Sequence, residues 1–290
     1  MKLTALVAAC IIQYASAHYF FDTLIIDGVE TKSLQYVREN TRQAKYNPTK
    51  WKNIRDDMTP DMNDFRCNKG AFESASRTET AEVKAGAKLG MKLAVGATMQ
   101  HPGPALVYMS KAPTTAQAYE GDGDWFKIFE ESTCNPSGDF GKDAWCTWDK
   151  DSVSFQIPAG TPDGEYLIRA EHIGVHGAHD GQAEFYYSCA QVKVTGGTGT
   201  TLPTDTIKFP GGYKKDDPSF NFSIYGGFKE YPMPGPAVWD GASPGGSAPS
   251  NPTSGSSVPS SESKSTAVAH DDSNCESKKV ARRHARAFRQ

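Results

Sequence analysis

Glu184-Phe185-Tyr186-Tyr187-Ser188-Cys189-Ala190-Gln191-Val192-Lys193-Val194 reads as one extended strand. Successive side chains of a strand alternate faces, so Glu184 and Tyr186 point to one side and Phe185 and Tyr187 to the other. Working outward, Leu89, Met91, Leu93 and Val95 fall on one face of a second extended segment, opposite Lys88, Lys92 and small residues. Phe220, Phe222 and Ile224 alternate in the same way with Asn221, Ser223 and Tyr225. Further runs are Ala105 to Met109, Trp125 to Phe129 and Glu165 to Arg169. Several short strands divided by Gly/Pro turns predict an all-β, antiparallel β-sandwich rather than βαβ units. Thr31 to Phe65 is polar and without a clean period, which predicts a long loop with a short helical turn.

The two ends of the chain differ from this middle. Residues 1–17 have a positive start at Lys2, an apolar stretch from Leu3 to Ile12, and Ala15-Ser16-Ala17, the small-x-small pattern of a secretory signal cleaved after Ala17. At the other end, fifteen of the twenty residues 241–260 are Gly, Ser or Pro, too few apolar groups to offset chain entropy. The expected organisation is a signal peptide over 1–17, a folded domain over 18–239, and a disordered linker and basic tail over 240–290. No second apolar run approaches the roughly 20 residues that span a bilayer. A secreted protein with no membrane contact is therefore expected. The formal net charge of −3 gives no field that would favour nucleic acid. Once Cys10 leaves with the signal, Cys67, Cys134, Cys146, Cys189 and Cys275 remain for an oxidising compartment that favours pairing. Cys134 and Cys146 are near enough to close a local loop, and Cys67 with Cys189 would form a long-range staple, although spacing does not fix connectivity. The absence of a Cys-x-x-Cys pair argues against a zinc site.

Cleavage after Ala17 makes His18 the first residue, with a free α-amino group beside its own imidazole. Those two nitrogens can chelate one metal ion, which no internal histidine can do. His101 opens the turn His101-Pro102-Gly103-Pro104 between two strand-like runs and offers a third nitrogen. Three nitrogens in a plane suit tetragonal Cu(II), and imidazole also suits Cu(I). The amine binds only when deprotonated, from a reference pKa of about 7.7–8.0, so occupancy should weaken in acid. His172 and His176, if extended, share a face about 13 Å apart and would not grip one ion together.

These segments resemble the fungal lytic polysaccharide monooxygenases of auxiliary activity family 9. The resemblance is carried by His18, His101-Pro102-Gly103-Pro104, Arg169-Ala170-Glu171-x-Ile173-x-x-His176 and Phe185-Tyr186-x-Ser188-Cys189. Ile26-Asp27-Gly28, Phe209-Pro210-Gly211-Gly212-Tyr213 and Tyr231-x-x-Pro234-Gly235-Pro236 add to it, over about residues 18–239 in consistent order. It implies an immunoglobulin-like sandwich presenting a flat copper face to cellulose or a related β-1,4-glucan, cleaved oxidatively at C1 or C4. One copper ion per chain is implied, with O2 or H2O2 as co-substrate. An external electron donor such as cellobiose dehydrogenase or small phenols is implied too, as is a monomer. Carried over, His18 and His101 become the copper brace, Tyr186 the axial tyrosine and His176 the histidine that supplies a hydrogen bond or proton to bound oxygen species. Tyr213 becomes a flat-face aromatic for sugar rings, and Cys67–Cys189 the main disulfide.

One position departs from the family. Glu184 stands where a glutamine is usual, two residues before the axial tyrosine, and an ionised carboxylate cannot donate the hydrogen bond that an amide gives. Kept protonated by burial, it could still donate and act as an acid, which makes it a candidate catalytic residue. Glu184→Gln is expected to raise oxidative turnover. A non-catalytic copper-binding protein or a glycan-binding module on the same fold are the alternatives. No paired-carboxylate motif supports a glycoside hydrolase. Asn221-Phe222-Ser223 is a candidate N-glycosylation sequon.

Overall fold

The computed structural model describes residues 18–226 and 230–242. The expected signal segment and the tail beyond 242, with Cys275, lie outside the described residues. Two sheets carry the fold, with strands numbered along the chain. One contains β1 (Phe21–Ile26), β2 (Val29–Glu30), β4 (Lys88–Leu93) and β7 (Ser152–Gln156), in the order β2-β1-β4-β7. The other contains β3 (Ala81–Lys84), β5 (Ala105–Lys111), β6 (Phe126–Glu131), β8 (Gly164–Gly174) and β9 (Glu184–Thr195), in the order β3-β9-β8-β5-β6. Pairing between these strands is antiparallel except for β3 with β9, which run parallel, so the sandwich is not wholly antiparallel. Among the described residues, helical structure is confined to short 3-10 turns such as Asn63–Phe65, inside the polar stretch expected to loop.

β9 explains the layering. Tyr186, Ala190, Val192 and Val194 join the core between the sheets, facing Phe21, Leu24, Met91 and Val153. Phe185, Tyr187 and Cys189 face the other way, into a second core with Phe65, Trp125, Phe209 and Phe220 from the long loops. The central strands of the five-stranded sheet are therefore buried on both faces, which is why they carry apolar side chains at odd and even positions alike, whereas the edge strand β3 alternates buried and exposed. β5 repeats the pattern, with Val107 and Met109 in the first core and Leu106 and Tyr108 in the second. Each large apolar side chain taken fully out of water contributes about 1.5–3 kcal/mol. Both disulfides form: Cys67–Cys189 ties a long loop to β9, and Cys134–Cys146 closes a local one.

Two expected strand assignments differ. Phe220–Tyr225 is not a strand; a 3-10 turn over Pro218–Phe220 leads into irregular chain. Its alternation reports burial, with Phe220 and Ile224 inside and Asn221 and Tyr225 outside, but no partner strand pairs with it. Val95 leaves the apolar face it was grouped with, because β4 ends at Leu93 and Val95 turns at φ 57 with 98% exposure. Asp27-Gly28, both at positive φ, close the tight β1–β2 hairpin. Trp239 packs on Phe126 at 5.3 Å, so the folded region reaches at least that residue.

Candidate metal centre

β5, β8 and β9 are adjacent, and their register gathers functional side chains at one end of the sheet. Ala105 at the start of β5 pairs with His172, which pairs with Tyr186; Gly174 at the end of β8 pairs with Glu184 at the start of β9. His101 lies just upstream of β5 and His176 just past β8, so both reach the same end. The turn bearing His101 is pinned to β8 by Ile173 N–H donating to Pro104 O at 3.0 Å and Val175 N–H donating to Pro102 O at 2.8 Å. Gly103 is required there: a Cβ would sit 1.7 Å from the Ile173 carbonyl oxygen. Gly174 leaves space between His101 and Glu184, whose Cβ atoms would lie 3.3 and 3.4 Å from any Cβ it carried. The sequence reading missed Gly174.

His18 precedes β1 and completes the cluster. Its ring stands 5.6 Å from that of His101 at 73°, and 6.1 Å from Tyr186. One nitrogen from each of His18 and His101 and a carboxylate oxygen of Glu184 all lie within 4.8 Å of one another. His176 stacks on His101 at 4.7 Å, and Tyr186 stacks on it at 5.6 Å. His18, His101 and His176 are each half-buried at the rim, whereas Glu184 and Tyr186 are buried beneath them. Two imidazoles with an adjacent carboxylate and phenol form a nitrogen–oxygen set that fits copper. Burial lowers the His18 imidazole pKa, with Lys50, Arg55 and His176 adding to the effect against Glu184, and the neutral ring is the form that binds metal. His172 is separate from this set. It lies in the core with Nδ1 2.7 Å from the Tyr19 hydroxyl, and burial lowers its pKa to about 3.

Glu184 is a paired carboxylate. Oε1 accepts from Lys50 Nζ at 3.0 Å, Oε2 accepts from the Tyr186 hydroxyl at 2.7 Å, and Oε2 lies 3.6 Å from His101 Nε2. Burial alone would push its carboxyl upward. The Tyr186 hydrogen bond, followed by the electrostatic influence of the neighbouring His101, His176 and Lys50 side chains, outweighs that and holds it below the ordinary range. With Oε1 and Oε2 both accepting, the geometry favours an ionised Glu184 over a protonated, donating one. Burial and the Glu184 charge together push the Tyr186 phenol well up, so its proton stays on oxygen.

Tyr213 is also corrected. It is 2% exposed, 2.9 Å from Glu171 Oε2 and 2.8 Å from the Tyr108 hydroxyl. Glu171 pairs with the buried Arg169 at 2.8 Å, and the Tyr213 hydroxyl supplies the next partner this carboxylate needs in a dry interior. Its ring packs among Phe185, Phe209 and Phe220, so it is no sugar platform. Exposed aromatics stand elsewhere: Tyr46, 48% exposed, with its ring 6.5 Å from His18, and Tyr225, 59% exposed, with its ring edge-on to His179 at 5.5 Å. Asn221 is exposed, its amide donating to the Lys215 and Asp217 carbonyls. No helix among the described residues is long and apolar enough to cross a membrane.

Comparison with known proteins bears on the whole assembly. The model of Auxiliary Activity family 9 (formerly GH61) matches residues 18–231. AA9 family lytic polysaccharide monooxygenase A of Aspergillus fumigatus is 68% identical over 100% of both chains. AA9 family lytic polysaccharide monooxygenase D of Emericella nidulans is 66% identical over 99% of this chain and 98% of its own. Among solved structures, a cellulose-active polysaccharide monooxygenase from M. thermophila superposes with a TM-score of 0.63 at 28% identity, covering 78% of this chain and 100% of its own. The chain belongs to auxiliary activity family 9, the lytic polysaccharide monooxygenases, an oxidoreductase family whose chemistry uses copper.

Proposed function

We propose that this chain is a secreted, monomeric enzyme that cleaves cellulose or a related β-1,4-glucan at C1 or C4, with His18 and His101 holding one copper ion. The observation that carries the reading is the convergence of His18, His101, His176, Glu184 and Tyr186 at one end of the central sheet. Removal of residues 1–17 would free the α-nitrogen of His18 as the third ligand. Copper, when bound, supplies the one-electron chemistry that O2 or H2O2 requires, with electrons from a small phenol or a cellobiose dehydrogenase.

The chain's own groups do the rest. The Tyr186 phenol, its proton committed to Glu184 Oε2, closes the buried side with a neutral oxygen. His176 lies against His101, and its buried Nδ1 has no hydrogen-bond partner among the described residues. The half-buried ring itself, at the rim beside His101, is the group placed to give a hydrogen bond or proton to a reactant or water. Tyr46, exposed beside His18, takes over the sugar-stacking role expected of Tyr213, and Tyr225, exposed against His179, offers a second ring that can lie against a pyranose face. Copper-loaded protein incubated with ascorbate, H2O2 and cellulose should release oxidised oligosaccharides detectable by mass spectrometry, and His18→Ala should release none. Products unchanged by His18→Ala would contradict the assignment.

A further inference from the structure

Lys50 is the residue of the metal centre with no counterpart in the sequence motifs, and its position is set by the backbone. Thr49 and Phe185 exchange two backbone hydrogen bonds, both 3.0 Å, which fixes this loop residue against the start of β9. The Thr49 hydroxyl lies 3.0 Å from the Tyr187 hydroxyl and accepts from Arg42 at 2.8 Å, so Thr49 shares the Phe185/Tyr187 face. Alternation then sends Lys50 to the opposite face, where Glu184 and Tyr186 lie. Its Nζ meets Oε1 of Glu184 at 3.0 Å, with the two side chains only 10% and 7% exposed.

This geometry resolves the charge problem of a glutamate at this position. A lone carboxylate beside a copper ligand adds a full negative charge, which favours Cu(II) over Cu(I). An amide adds none. Resting on the reading of His18 and His101 as the copper ligands, we propose that Lys50 is a positioning residue. It makes the Lys50–Glu184 pair a neutral unit standing in for one amide, clamping Oε1 so that Oε2 remains to hold the Tyr186 phenol and face His101. The reactive groups then feel the balanced field of a pair, while the orientation of Tyr186 is fixed by a stronger, charged acceptor than an amide oxygen.

The test is a charge cycle on the secreted, copper-loaded protein: wild type, Lys50→Met, Glu184→Gln, the double variant and Lys50→Arg. The readouts are Cu(II) and Cu(I) dissociation constants by chelator competition and the Cu(II) electron paramagnetic resonance spectrum. Lys50→Met should shift the affinity ratio toward Cu(II) by roughly tenfold, the scale of one partly buried charge. Glu184→Gln should shift it toward Cu(I), the double variant should return to within about threefold of wild type, and Lys50→Arg should hold the wild-type spectrum. Single variants that shift the ratio in the same direction, or not at all, overturn the proposal. Should Lys50→Met fail to fold, the double variant decides. A ratio near wild type while Glu184→Gln differs supports the pair, and one matching Glu184→Gln overturns it. Failure of the underlying site reading shows earlier and separately, as wild-type protein that binds no copper or binds it indifferently to His18→Ala.

Discussion

Two glutamates on neighbouring strands each accept a cation and a tyrosine hydroxyl. Glu171 on β8 takes Arg169 at 2.8 Å and Tyr213 at 2.9 Å; Glu184 on β9 takes Lys50 at 3.0 Å and Tyr186 at 2.7 Å. The first pair is sealed, both side chains at 0% exposure, with the Arg169 guanidinium over the rings of Phe65, Tyr187 and Phe209 at 4.9, 4.4 and 4.3 Å. The second borders three half-buried histidines at the rim. The chemical pieces match, and the neighbours decide their use. Enclosed by aromatic rings, the pair fastens loops to the sheet. Set beside imidazoles that solvent and substrate can reach, it sets the charge around a metal.

The contrast breaks most sharply in stability. Arg169→Met strands a buried carboxylate and should cost about 3–5 kcal/mol in denaturant unfolding. Lys50→Met should cost less, about 2–3 kcal/mol, since Glu184 keeps Tyr186 and the two side chains of the pair are 10% and 7% exposed rather than sealed. Equal losses would mean that the two pairs do the same job. A smaller effect separates a buried tyrosine from an exposed one. Tyr225→Ala on the surface should weaken binding to cellulose several-fold in a pull-down while moving stability by no more than about 0.5 kcal/mol. Tyr213→Phe should do the reverse, lowering stability by about 1–3 kcal/mol through an unsatisfied Glu171 with binding unchanged. Weaker cellulose binding by Tyr213→Phe would restore the flat-face role denied to it here.

The sequence revealed the parts whose physics is local. Period-2 alternation placed Tyr186 with Glu184 and Phe185 with Tyr187, and β9 divides them between two cores in that way. His101 was legible because its Pro-Gly-Pro turn needs no distant partner to be recognised. Alternation misled at Phe220–Tyr225, where burial alternates without a strand to pair with. Tyr213 was misplaced because nothing in Gly-Gly-Tyr announces a buried carboxylate 42 residues away that needs its hydroxyl. Lys50 was invisible for a related reason. It sits in a polar stretch without period, 134 residues from Glu184, and only the Thr49–Phe185 bridge brings it there. The expectation that Glu184→Gln raises turnover treats the carboxylate as isolated, whereas Lys50 Nζ stands 3.0 Å from its Oε1.

The proposed copper site consists of His18, as a processed N-terminus, and His101, holding one ion. Titration of the secreted protein with Cu(II), alongside sequencing of its N-terminus, tests it directly. The expected result is a chain beginning at His18 that binds one equivalent, with affinity falling at least about a hundredfold in His18→Ala and in His101→Ala. A chain beginning at any other residue, or copper binding that survives both substitutions, would contradict it.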